Sequence, residues 1–229
     1  MSPFSRILDS YRNVLVTPSA RGENVCVTCR RPTEGYERCW QCQQHFAAHG
    51  SELADEVVPI SFAEKDRQLA HTLFQYKNNR SDDVKRQLTN ELACVLAAFL
   101  AGHERCWGDF DLVTTVPSSR SRTSPLVDVL GRRIGQTRTR FTSALITRCG
   151  NDRKMRPDCY EVSTGGRGVL LVDDTWTSGA SLQSSAVALK RAGATRVVGL
   201  VIGRHLDKPA PATVPFDWDA CVLCAQRDR

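Results

Sequence analysis

Aromatic side chains are scarce in this sequence: four Trp, four Tyr and eight Phe make up 7% of 229 residues. They are not interleaved with the basic residues, so a row of base-stacking platforms has little support. Long apolar runs are missing too. The longest, Leu92 to Ala101, falls well short of the roughly 20 residues that span a bilayer and reads as a buried helix, which removes the membrane as a partner. The opening residues, Met1-Ser-Pro-Phe-Ser-Arg6, lack the charged-then-apolar order of an export signal, so cytoplasmic residence is the expectation. Acids are depleted locally. Between Ser118 and Arg156 only Asp128 and Asp152 oppose ten basic residues. Together with a net charge of +6 and a pI near 8.9, this favours a polyanionic partner, either a phosphate-rich small molecule or a nucleic acid.

What is present fits a soluble α/β protein with a small accessory module: 41% hydrophobic and 24% charged residues, and no internal repeat. Helical spacing of Ile7, Leu8, Tyr11, Val14 and Leu15 predicts an amphipathic helix over 5–15. Val57 to Ser61 reads as a short strand. Two helices are expected over 65–76 and 82–103, the second capped by Ser81 with acids in its first turn. Asp111 to Val116 is a strand ending at Pro117, Leu126 to Ile134 a helix, and the stretch from there to Pro157 is polar and basic enough to be mobile. Gly168 to Asp173 and Arg196 to Ile202 are continuous apolar runs, as expected of parallel strands covered on both faces. Ala180 to Ala192 is the helix between them, completing a βαβ unit. The expected division is 1–50 for the opening helix and cysteine module and 51–229 for the α/β domain.

The chemistry concentrates in Val169-Leu-Leu-Val-Asp-Asp-Thr-Trp-Thr-Ser-Gly-Ala-Ser181. An apolar strand delivers Asp173 and Asp174 to its C-terminal end, where open α/β sheets bind ligands. The turn that follows, Thr177-Ser178-Gly179-Ala180-Ser181, offers hydroxyls and backbone N–H groups at the positive end of a helix, which suits a phosphate monoester. Gly179 permits close backbone approach and unusual φ values. Carboxylates would repel that phosphate, so Asp173 and Asp174 should address a neighbouring polyol such as the ribose hydroxyls.

This segment resembles the signature of type I phosphoribosyltransferases: four apolar residues, two acids, two variable residues and a Thr-Thr-Gly-x-Thr turn, with Ser178 and Ser181 as hydroxyl replacements. The resemblance implies a type I phosphoribosyltransferase fold, a parallel sheet flanked by helices. It assigns Asp173 and Asp174 to catalysis and the ribose hydroxyls of phosphoribosyl pyrophosphate (PRPP), and Thr177 through Ser181 to its 5-phosphate. Ser118, Ser119 and Arg120, after the Asp111–Val116 strand, resemble the loop that meets pyrophosphate. The basic stretch would be the hood over it, with Arg153, Lys154 and Arg156 as its cations. Mg²⁺ bound between ligand oxygens is implied as well. An acid stands in 6-oxopurine salvage enzymes where this chain has Thr177, so that acceptor class is disfavoured; the unknown acceptor, a base or amine, could sit near Arg204 to Asp207.

Ten cysteines would suggest disulfides in a secreted chain, but six of them form C-x-x-C pairs, which favours metal. Cys26, Cys29, Cys39 and Cys42 form two such pairs separated by nine residues, enough for a closed tetrahedral zinc site. His45 and His49 are not needed and read as surface residues. The third pair, Cys221 and Cys224, is either free thiols, half of a second site, or a competitor for one N-terminal pair. Cys94, Cys106, Cys149 and Cys159 read as ordinary small residues. An N-terminal four-cysteine module before such a core is similar to the ComF family, associated with bacterial DNA uptake, and Leu73-Phe-Gln-Tyr-Lys77 resembles that family's Lys-Tyr element. Two functions are therefore expected: transfer of a phosphoribosyl group to a nitrogen nucleophile, or a non-catalytic role in DNA processing or PRPP sensing with nucleic-acid contact. Either is compatible with an oligomer.

Overall fold

In the computed structural model, which describes residues 1–118, 124–150, 153–210 and 216–224, the chain forms one four-stranded parallel sheet and a separate two-stranded hairpin. The elements are α1 (Pro3–Arg12), α2 (Trp40–His49), β1 (Glu56–Glu64), α3 (Gln68–Asn78), α4 (Asp82–Trp107), β2 (Leu112–Thr115), α5 (Pro125–Asp128), α6 (Gly135–Arg138), β3 (Leu145–Thr147), β4 (Tyr160–Val162), β5 (Gly168–Trp176), α7 (Ala180–Arg191) and β6 (Arg196–Leu206). The sheet order is β1-β6-β5-β2, with every pair parallel. No helix among the described residues is long and apolar enough to cross a membrane.

The pleat sorts the strand side chains between two cores. Val58, Ile60, Val113, Leu170, Val172, Val198, Leu200 and Ile202 join Leu92, Leu96 and Phe99 of α4, Leu69 and Leu73 of α3, and Tyr11 and Leu15 from the N-terminus. Val57, Leu112, Val169, Leu171, Val197 and Val201 face the other way, onto Leu182, Ala186 and Leu189 of α7 and onto the four N-terminal cysteines. The cysteine module is therefore continuous with one of the two cores. Helix α1 is tied to α4 by Tyr11, whose hydroxyl donates to Glu91 at 2.9 Å. Close approach is built in at Gly203 of β6, where a Cβ would lie 2.4 Å from Leu73 Cδ1. The long helix starts as its sequence indicates: Ser81 Oγ accepts from the Val84 N–H, with Asp82 and Asp83 in the first turn.

Four expectations are corrected. Helix α2, absent from the expected elements, grows directly out of the second cysteine pair. The stretch before Pro157, expected to be mobile, contains β3, which pairs antiparallel with β4 just beyond Pro157. Cys149 and Cys159 are not ordinary small residues; they form a disulfide that closes the loop between β3 and β4. Strand β6 continues to Leu206, past the expected end at Ile202, because the charge of Arg204 is absorbed by backbone carbonyls.

Candidate functional site

Strand β5 delivers its two acids to opposite faces of the sheet. Asp174 follows Leu170 and Val172 toward α3, where it is buried. There the Tyr76 hydroxyl donates to its Oδ2 at 2.5 Å and Lys77 Nζ lies at 2.6 Å. Burial opposes its charge, but the Lys77 ammonium and the Tyr76 hydroxyl outweigh it and hold the carboxyl below the ordinary range. Asp173 is half-buried and accepts the Asp174 N–H through Oδ1 at 2.9 Å. Burial, and then the charge of Asp174, push its carboxyl well above the ordinary range. The two carboxyls are thus pushed in opposite directions, Asp174 toward its charged form and Asp173 toward its neutral one. Residue reading did not assign Tyr76 and Lys77 to this site; only their place in the Lys-Tyr-like segment hinted at it.

The hydroxyl turn sits at the N-terminus of α7. Gly179 adopts φ 81°, and a Cβ there would come within 2.1 Å of Trp176 Cζ2. The Trp176 ring is 1% exposed and packs beneath the turn, so it supports the loop rather than presenting a stacking face. Ser178 Oγ accepts the Ala180 N–H at 3.3 Å. From below, the buried Arg204 guanidinium donates through Nη1 to the carbonyls of Trp176 and Thr177, both at 3.1 Å, and also to that of His205. Arg204 is thus a pin for the turn and does not line the cleft, which its neighbour His205 reaches.

The basic hairpin closes the other side. The Ser178 hydroxyl donates to the Arg153 carbonyl at 3.5 Å, and the Arg156 N–H donates to Ser184 Oγ of α7 at 2.8 Å. A single cleft of about 1220 Å³ brings together Ser118, Arg153, Lys154 and Arg156 with Asp173, Asp174, Thr177, Ser178, Gly179 and Ser181. Ala180 does not line it; its side chain is buried as the first residue of α7. Ser119 and Arg120 lie outside the described residues. The cleft thus gathers two acids, a turn of hydroxyls and amides at a helix N-terminus, and three cationic side chains.

The four N-terminal cysteines converge, with ligand atoms within 4.8 Å of one another. The first turn is closed by the Arg30 N–H on the Cys26 carbonyl at 3.0 Å, and the second by the Gln43 N–H on the Cys39 carbonyl at 2.9 Å. Cys29 and Cys39 Sγ are 3.8 Å apart. Tetrahedral zinc with bonds of about 2.3 Å requires about 3.8 Å between sulfurs. Four buried thiolates this close would repel one another unless a cation lay between them. The buried Arg30 guanidinium lies beside Cys26 and Cys29, reaches Glu56 at 3.5 Å, and leaves Nε and Nη1 without a hydrogen-bond partner. A buried cation there is what an anionic tetrathiolate centre needs. The cluster could therefore bind structural zinc, with no position left open for catalysis.

His45, expected at the surface, is buried in this module, and burial pushes its imidazole down to about 4. Cys221 and Cys224 are not competitors for the N-terminal set. They belong to the opposite core, beside α4.

Comparison of the chain with protein-family models, curated proteins and solved structures found no match in any of the three. What the site does must therefore be argued from its own chemistry.

Proposed function

We propose that this chain is a ComF-like protein of the phosphoribosyltransferase type, whose cleft binds PRPP and transfers its phosphoribosyl group to a nitrogen nucleophile. The observation that carries the reading is the convergence of the strand-end acid pair, the Gly179 turn and the basic hairpin on one cleft. The 5-phosphate would lie against the Thr177 to Ser181 turn and the start of α7, and the ribose hydroxyls against Asp173 and Asp174. The diphosphate would point to Ser118, Arg153, Lys154 and Arg156. Its oxygens would carry Mg²⁺, an ion that usually keeps substrate phosphates and one or two carboxylates as ligands rather than an all-protein cage.

On this reading the nitrogen attacks the ribose C1, the bond from C1 to the pyrophosphate oxygen breaks, and the nitrogen loses a proton. The chain supplies positioning and charge. Asp174 is held by Tyr76 and Lys77, which favour its charged form, so it can orient a hydroxyl without reorganising. The hairpin cations offset the charge that develops on the departing pyrophosphate. The N-terminal cysteines would hold structural Zn²⁺ and take no part in the reaction.

Calorimetric titration with Mg²⁺ and PRPP should give saturable one-to-one binding, and a panel of bases and amines should reveal one that releases pyrophosphate. Binding without release across the panel would replace transfer with PRPP sensing, the reading in which the basic surface contacts nucleic acid. The double substitution Asp173→Asn, Asp174→Asn should weaken binding at least about tenfold, since hydrogen bonds to charged groups are worth about 1.5–3 kcal/mol. Unchanged affinity would reject the ribose assignment.

A further inference from the structure

The third C-x-x-C pair closes a second constellation, far from the cleft. His103 and Cys106 stand three residues apart on the last turns of α4, and Cys221 and Cys224 stand three apart on a turn of the C-terminal segment. Their ligand atoms lie within 4.8 Å of one another. We propose that His103, Cys106, Cys221 and Cys224 bind a second zinc ion, in a closed Cys₃His site that fastens the C-terminal segment to α4.

The donors are oriented as such a site requires. His103 Nδ1 is 3.7 Å from Cys224 Sγ. A tetrahedral ion with Zn–S of about 2.3 Å and Zn–N of about 2.0–2.1 Å places these atoms about 3.6 Å apart. The other ring nitrogen, Nε2, lies 2.9 Å from the Trp218 carbonyl. Donating to that carbonyl, Nε2 carries the proton, which leaves the Nδ1 lone pair facing the three sulfurs; a backbone carbonyl behind a ligating imidazole is the usual second partner at zinc. The ring is 2% exposed and held against Phe99 with centroids 4.7 Å apart, so it is fixed in place. On the opposite side the Cys221 N–H donates to Cys224 Sγ at 3.0 Å and the Cys224 N–H to Cys221 Sγ at 3.4 Å. Amides aimed at sulfur stabilise thiolates. The three thiols are not joined as disulfides.

The four donors complete a tetrahedron, so the ion would be structural. Its consequence is topological. Phe216, Cys221 and Val222 belong to the core under α4, yet the described residues after β6 include no strand or α-helix. A metal bond between residues 103 and 221 joins positions more than a hundred apart in the chain, and its binding free energy becomes folding free energy.

The test is metal content of the full chain, purified anaerobically with a reductant. Two zinc ions per chain are expected, falling to one in Cys221→Ser, Cys224→Ser and to one in Cys26→Ser, Cys39→Ser. Because either double variant could misfold, His103→Gln in cobalt-exchanged protein gives a second reading: the visible d–d bands should lose the contribution of the mixed nitrogen–sulfur site and keep that of the four-sulfur site. One zinc per wild-type chain, with Cys106, Cys221 and Cys224 all alkylated rapidly by iodoacetamide in native protein, would overturn the proposal. A wild-type cobalt spectrum unchanged by His103→Gln would overturn it as well.

Discussion

At residue scale the site turns on Lys77. Its ammonium keeps Asp174 ionised in a buried position beside a second carboxyl. Lys77→Met should cost roughly 1–3 kcal/mol in urea unfolding at pH 7, less than the ~3–5 kcal/mol for breaking a fully buried pair, because Lys77 is partly solvated. The pH dependence has a definite sign. The folded carboxyl of Asp174 titrates below its unfolded value, so its contribution is present above that value and lost as pH falls through the folded one. The gap between wild type and Lys77→Met should therefore be widest at neutral pH and close in the acid range; a gap constant with pH would mean that Lys77 acts by packing. Gly179 supplies a second residue-scale case. Gly179→Ala meets both a left-handed φ and the Trp176 ring. Its destabilisation should shrink by about 1 kcal/mol or more in a Trp176→Leu background, a coupling that a double-mutant cycle reads directly. Additive losses would assign the whole cost to the backbone.

At the scale of elements, the hairpin β3–β4 carries Arg153, Lys154 and Arg156 to the cleft, and Cys149–Cys159 joins its two arms. The bridge limits the conformations of the segment that holds these cations, so it should preorganise them. On the proposed function, Cys149→Ser, Cys159→Ser should weaken PRPP affinity on the order of 3–10-fold while shifting the global unfolding midpoint little, since the hairpin lies outside the main sheet. Equal affinity in oxidised and substituted protein would remove the hairpin from the site. This element was also the least legible in the sequence. Strands of three residues are too short to show a period of two, and nothing in the spacing of Cys149 and Cys159 told a disulfide from two scattered thiols. By contrast β5 and the first half of β6 were plain, because strands buried on both faces are apolar without interruption. The end of β6 was hidden for the converse reason. Arg204 interrupts the apolar run, and only the fold brings the carbonyls of Trp176 and Thr177 to its guanidinium. Likewise the acid pair and the Gly179 turn could be read as a local pattern, whereas Tyr76 and Lys77 arrive from a different element and needed the fold to place them.

At the scale of the molecule, the parallel sheet has two faces and the N-terminus contributes to both. Tyr11 and Leu15 belong to the core on the α4 face, and Cys26, Cys29, Cys39 and Cys42 to the core on the α7 face. Helix α7, which follows the Gly179 turn, packs on α2, β5 and β6. Ala54 strengthens that link by donating its N–H to Gln183 Oε1 of α7 at 2.9 Å. The cysteine module and the α/β core should consequently melt as one unit. Scanning calorimetry of zinc-loaded protein is expected to show a single transition, and stripping the metal should lower that whole transition rather than detach a small early one. If removing the N-terminal ion costs about 3–5 kcal/mol, the shift should be on the order of 10 °C, at about 2–4 °C per kcal/mol for a chain of this size. Two transitions, with only the smaller one sensitive to chelation, would show instead that the module is tethered to the core without supporting it, and that the turn at Gly179 owes nothing to the cysteines.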